Sequence, residues 1–193
     1  QTCALPISRE PWRLVAAVLH RLGRSAAITE RLSPAVGDVA ARTVQQMLAR
    51  RLNCPISTAA GRWFDAAAGV LGLSVRQREE AEAAIALERA ACEWIAQHGG
   101  VEAWADAAPL AAPGLDALMT DLLAVDVGDS SAVGAAAARF HAGLADLLVA
   151  AAVEAAGRVG AQRVGFGGGC LHNALLRERL NRRLQRAGLA MRQ

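Results

Sequence analysis

The sequence predicts an α/β chain that is mostly helical, and three observations predict it. Apolar residues recur at three- and four-residue spacing over most of its length. One short β-type run, Arg163-Val-Gly-Phe166, opens into Gly167-Gly168-Gly169, the pattern of a strand, a tight turn and a following helix. No internal repeat and no long linker divides the 193 residues, which suffice for one domain with its own core. A strand feeding a glycine turn belongs to a sheet with other strands. Those strands are expected either in the ambiguous middle of the chain or outside this polypeptide.

Taken in order, Pro11 to Leu22 reads as a first helix, with Glu10 before Pro11 at its start and Gly23 at its end. Pro34 is expected to open a second helix whose repeating positions are Val36, Val39, Ala40, Thr43, Val44, Met47 and Leu48. Asn53 to Thr58 contains a breaker and reads as a loop. Gly61 to Leu71 turns helical again, with Trp63, Phe64, Ala67, Ala68 and Leu71 on one face and Gly72 as a stop. Gln77 to Ala96 reads as a long, charged helix carrying Glu79, Glu80, Glu82 and Glu88 as a solvated acidic face. Within the glycine- and proline-rich stretch from Gly99 to Gly134, Leu115 to Val125 fits a helix or a strand equally well. Ala135 to Val159 is another long helix, with Phe140, Leu144, Leu147, Leu148 and Ala151 turned inward. The last helix runs from about Asn173 to Ala187.

Composition narrows the functional classes. All 21 basic residues are arginine, set against 18 acidic ones for a net charge of +3, with only 4% aromatic residues. Interspersed acids and few aromatics for stacking give no nucleic-acid signature, even at a pI near 9.0. No stretch of 18 apolar residues is free of charge, since the run from Ala142 to Ala156 contains Asp146 and Glu154, so no membrane span is expected. The first residues lack the charged, apolar and small-residue regions of a secretory signal, which makes the cytoplasm the default compartment. Cys3, Cys54, Cys92 and Cys170 are scattered, without a C-x-x-C pair or a histidine at ligand spacing, and read as buried or incidental thiols.

Two segments carry chemistry. In the first, glycines at 167–169 allow a ligand close to the backbone, and amides at the following helix start favour an anion such as phosphate. Asn173 there either caps the helix or contacts a ribose or base. His172 and Cys170 are weaker candidates, because nothing nearby in sequence activates them. In the second, a small-residue turn leads into Gly61-Arg62-Trp63-Phe64-Asp65. Asp65 is either a favourable charge near a helix start or a carboxylate accepting hydrogen bonds from a sugar diol. Arg62 is either solvated or an anion clamp.

Read together, these segments resemble the carboxy-terminal part of the hydrogenase-maturation carbamoyltransferase family, HypF. The matching motifs are Arg9-Glu-Pro-Trp-Arg13, Asn53-x-Pro-x-Ser-x-x-x-Gly-Arg-x-Phe-Asp-Ala66, Ala83-Ala-x-Ala-Leu-Glu88, Phe140-His141 and Gly168-Gly-x-x-His-Asn-x-Leu-Leu176. They occur in the family's order across nearly the whole chain.

The resemblance implies an incomplete actin-like ATPase superfamily fold, truncated at both ends, over residues 9–193. Residues 1–8 look like a foreign leader. The resemblance also implies an enzyme that uses ATP and carbamoyl phosphate, through a carbamoyl-adenylate, to carbamoylate the carboxy-terminal cysteine of a HypE-like acceptor for cyanide-ligand synthesis. Nucleotide-binding roles carry over to Asp65, Gly61, Gly168, Gly169 and Asn173, with Arg62 as an anion contact, and no catalytic residue is assigned. The family's divalent metal would be held by paired histidines upstream and an Asp-Gly-Gly segment downstream, and its zinc by an earlier domain, so no metal ligand is expected on this chain. By itself this part should be inactive. Two departures stand out: Gly167 replaces a serine, and Glu79-Glu80-Ala81 replaces Tyr-Glu-Gly. The rival readings are another actin-like enzyme, such as a tRNA threonylcarbamoyl transferase or a sugar kinase, and a helical interaction module without chemistry.

Overall fold

The computed structural model describes residues 2–3, 9–109 and 114–192. Most of the segment read as a foreign leader, residues 1 and 4–8, lies outside the described residues. The elements in order are β1 (Thr2–Cys3), α1 (Pro11–Arg21), α2 (Ala27–Val36), α3 (Asp38–Ala49), β2 (Ile56–Ser57), α4 (Ala60–Val70), α5 (Glu82–Gln97), α6 (Gly100–Asp106) and α7 (Leu115–Leu123). After them come α8 (Ser130–Val159), β3 (Arg163–Gly165), a 3-10 turn (Gly169–His172), α9 (Ala174–Arg186) and β4 (Ala190–Arg192). The chain forms two compact units, Gln1–Leu87 with Leu122–Ala124 and Glu88–Asp121 with Val125–Gln193, so the division falls inside α5 and α7.

In the first unit α1 and α4 are buried nearly all round, which suits their almost unbroken apolar sequences. Gly69 lets them meet closely, since a Cβ there would lie 2.7 Å from Val15 Cγ2 and 3.3 Å from the Pro11 carbonyl oxygen. α2 was not expected: only Ile28 and Leu32 are buried on it, too short a pattern to read from sequence. Pro34 does not open a helix but lies in the last turns of α2, and the break falls at Gly37, whose φ of +87° ends one helix and starts the next. The inward face of α3 is Ala41, Val44 and Leu48, whereas Val39 is 81% exposed. The expected loop at Asn53–Thr58 contains β2, which pairs antiparallel with β1.

The stretch expected as one helix from Gln77 is helical only from Glu82. Ala81 has φ +63° and breaks the run, while the Glu82 carboxylate accepts hydrogen bonds from the backbone N–H groups of Arg78 (2.6 Å) and Glu79 (3.4 Å). Glu79 and Glu80 therefore precede α5 rather than sharing a face with Glu82 and Glu88. Ala81 stands where the resembling family has glycine, and it occupies the left-handed backbone region that glycine adopts without strain.

In the second unit the ambiguous middle is helical, and the expected extra strands are not found there among the described residues. α8 begins five residues before its expected start, because the Asp129 side chain caps it by accepting from the Ser131 and Ala132 N–H groups at 2.8 and 3.2 Å. On it Phe140 and Leu144 are buried as expected, but Ala151 is exposed. By length and composition alone α8 is long and apolar enough to cross a membrane, its charges notwithstanding. Yet 56% of its most apolar window is buried in the fold, and Asp146 is paired, both marks of a core helix. β3 pairs in parallel with β4, a strand the sequence reading missed. This small sheet covers Ala156, Leu184 and Leu189 with Val164, Phe166 and Met191.

Arg179 of α9 is only 1% exposed. Its guanidinium reaches the Asp146 carboxylate at 3.1 and 2.9 Å and the carbonyls of Trp104 and Ala108 at 2.7 and 3.2 Å. Its charge also lies 5.5 Å from the centre of the Trp104 ring. Arg179→Met should cost about 3 kcal/mol of stability, because buried acceptors lose their donor. Ala81→Gly should add about 0.5–1 kcal/mol by relieving the left-handed alanine. Denaturant midpoints should move in opposite directions for the two variants.

Candidate functional site

The candidate residues fall into two groups, one in each unit. In the first unit, Gly61 and Arg62 occupy the first turn of α4 and Asp65 its second, so Asp65 is not the helix-start charge that one sequence reading allowed. Asp65 is 6% exposed. Arg62 Nη1 lies 3.2 Å from its Oδ2, so this arginine is ion-paired rather than solvated. Gln77 Nε2 reaches Oδ1 at 3.4 Å, a long contact, while Gln77 Oε1 accepts from the Ala83 N–H at 3.0 Å near the start of α5. Gln77, itself buried, thus ties the carboxylate to a helix start. Burial pushes the Asp65 carboxyl above its ordinary pKa, against smaller downward pulls from Arg62 and Gln77. The site is a desolvated carboxylate with one partner in the fold at each oxygen, Arg62 at Oδ2 and Gln77 at Oδ1.

In the second unit, Gly168 has φ +105° and ψ 160°, a conformation that side chains strain to adopt. A Cβ at positions 167, 168 or 169 would meet nothing within 4 Å, so the backbone there is open to a close-approaching ligand. The helix does not start directly after the glycines: a 3-10 turn from Gly169 to His172 intervenes, and Asn173 is the cap of α9. Cys170 is half-buried and His172 exposed. The first amides of α9 are already occupied, since the Glu88 carboxylate accepts from the Ala174 N–H at 2.6 Å and Asn173 Oδ1 from the Leu176 N–H at 2.8 Å. Glu88 is therefore not part of a merely solvated face. An anion seated on these amides would have to displace it.

The other end of the Asn173 amide meets His141, and the protons there are determined by the partners. A backbone N–H only donates, so the atom facing Leu176 is Oδ1 and the one facing His141 is Nδ2. An amide nitrogen only donates, so His141 Nε2, 3.0 Å away, accepts. The imidazole hydrogen is then on Nδ1 and is donated to the Ala137 carbonyl at 2.8 Å. His141 is completely buried, and burial pushes its pKa down to about 4, opposed more weakly by the Ala137 bond. Sequence reasoning noted His141 only as part of a motif and gave Gln77 no role. A lone histidine in an apolar helix was the available signal for the first; the second had none.

Residues 6–192 match the family model described as "Carbamoyltransferase, Kae1-like Domain, second subdomain". The chain belongs to the HypF carbamoyltransferase family. It is 45% identical over 185 residues to the "Carbamoyltransferase HypF homolog" of Cupriavidus necator, covering 94% of this chain and 47% of that protein. It is 40% identical over 206 residues to "Carbamoyltransferase HypF2" of the same organism, covering 95% of this chain and 25% of that one. The chain thus spans less than half the length of these HypF relatives. Two solved HypF chains share its fold: "T.kodakarensis HypF", at TM-score 0.73 and 21% identity over 98% of this chain and 26% of that one, and full-length HypF "in the phosphate- and nucleotide-bound form", at 0.70 and 17% over 95% and 24%.

His141 makes stability depend on pH. Below about pH 6.5 the unfolded chain takes up a proton that the folded chain refuses until about pH 4, so stability falls as pH drops through that window. The loss should be on the order of 3 kcal/mol. In urea titrations between pH 7 and 4, His141→Phe should lack this component; equal slopes for wild type and variant would refute it.

Proposed function

We propose that this chain supplies nucleotide-holding elements to a carbamoyltransferase that works through a carbamoyl-adenylate made from ATP and carbamoyl phosphate. Asp65 accepts the ribose hydroxyls, Gly61 permits approach beside it, and Arg62 balances the carboxylate or meets an anion. Gly168 and Gly169 let the nucleotide lie against the backbone, and Asn173 contributes an amide hydrogen. The carbamoyl group goes to a thiolate at the carboxy terminus of a HypE-like acceptor in the cytoplasm, as a step in hydrogenase maturation. In this reading the chain contributes proximity and electrostatics rather than a nucleophile. Among the described residues no three His, Cys, Asp or Glu side chains come together as a metal site. A divalent metal, and zinc in another domain, would take their ligands from elsewhere in the longer protein.

The observation that carries the proposal is Asp65: a buried, desolvated carboxylate held by Arg62 and Gln77, within the stretch that matches the family model. The nucleotide in the structure of a full-length HypF relative supports the same ligand class. Calorimetric titration of AMP into the longer protein that carries this chain should show binding that Asp65→Ala weakens by about tenfold or more, the worth of a hydrogen bond to a charged group. A wild-type protein that takes up no AMP, or a variant that binds equally well, would overturn the proposal in favour of a helical interaction module.

A further inference from the structure

Asn173 is offered above as a nucleotide contact, yet its amide is already engaged at both ends. Oδ1 caps α9 through Leu176, and one Nδ2 hydrogen goes to His141. That leaves a single amide hydrogen, and its direction is fixed by what holds the other two positions. The cap alone would hold only the oxygen. His141 holds the nitrogen, and it does so from α8, 32 residues away in sequence, through a ring that is itself locked to the Ala137 carbonyl. The ring is completely buried and edge-on to Phe140, with centroids 6.1 Å apart. The opposite tautomer would set an Nε2–H against the Asn173 amide hydrogens and undo the contact.

We infer that His141 is a positioning residue for the nucleotide site: as the neutral Nδ1–H tautomer it locks the Asn173 amide, so that the second Nδ2 hydrogen is held ready for an acceptor atom of the nucleotide. The inference rests on the nucleotide-holding reading and adds to it a residue that touches no ligand itself. A side chain that merely fills the core would affect stability alone. His141 acts on affinity as well, and there only through Asn173.

The test is AMP affinity by calorimetry, with His141→Phe, His141→Gln, Asn173→Ala and the double variant His141→Phe with Asn173→Ala. Phenylalanine keeps the ring and removes the acceptor; glutamine restores an acceptor near the place of Nε2. His141→Phe should weaken AMP binding by about tenfold, the worth of one well-placed hydrogen bond. His141→Gln should recover most of that loss, and in the Asn173→Ala background the phenylalanine should cost nothing more. An unchanged affinity for His141→Phe, or an equal loss with and without Asn173, would overturn the inference while the nucleotide reading stands. No AMP binding by the wild type would overturn both. Should His141→Phe not fold, imidazole nitrogen spectra of the wild type decide the matter: an Nδ1–H ring whose signals move with those of the Asn173 amide on adding AMP is expected, and an Nε2–H ring refutes the inference.

Discussion

The buried guanidinium of Arg179 is the constraint on which the second unit depends. A charge taken out of water is tolerable only when nearly every donor finds an acceptor. Here the acceptors come from the last turn of α6, from Ala108 two residues beyond it and from the middle of α8, while the charge itself rides on α9. Surface pairs extend the same seam, with Arg182 and Arg186 meeting Asp106 at 3.1 and 2.7 Å. Those are exposed and contribute little singly. Because α9 is held this way along its middle, its first residue and the turn before it have a fixed place on α8.

That fixed place is what makes the Asn173 and His141 contact possible. The described residues bury five polar or charged side chains: Asp65, Gln77, His141, Asn173 and Arg179. Each belongs to one of three hydrogen-bonded groups, and two of the three contain residues that the family motifs single out. Buried polar groups are costly unless partnered, so their restriction to these groups concentrates the expense where the chain has chemistry to arrange. The start of α9 shows the same economy, with a glutamate from α5 and the Asn173 amide sharing its amides.

Around Asp65 the balance is different. Its neighbours offset only part of the cost of burial, so its carboxyl stays above its ordinary pKa. The segment that brings Gln77 alongside it turns sharply before α5, and the left-handed Ala81 is where that turn is made. Alanine at this position carries backbone strain that a glycine would not. Gly167, where the family has serine, faces open space, and no contact in the fold requires either residue.

Much of the local structure was legible because its causes are local. Pro11 starting α1, the apolar run of α4, the strand before the glycines and the cap at Asn173 all follow from residues within a turn or two of one another. Helix ends set by distant or unusual partners were misread: Gln77 and Ala81 delay α5, and Gly37 rather than Pro34 divides α2 from α3. The sequence by itself determined the mostly helical character, the motifs at Asp65 and at Gly168 to Asn173, and the family. Only the tertiary structure decided which groups those side chains meet. The decisive contacts span 12 residues from Asp65 to Gln77, 32 from His141 to Asn173 and 86 from Glu88 to Ala174. Helical and strand periodicity records which face of an element is apolar, but it carries no information about the partner that folding brings to that face.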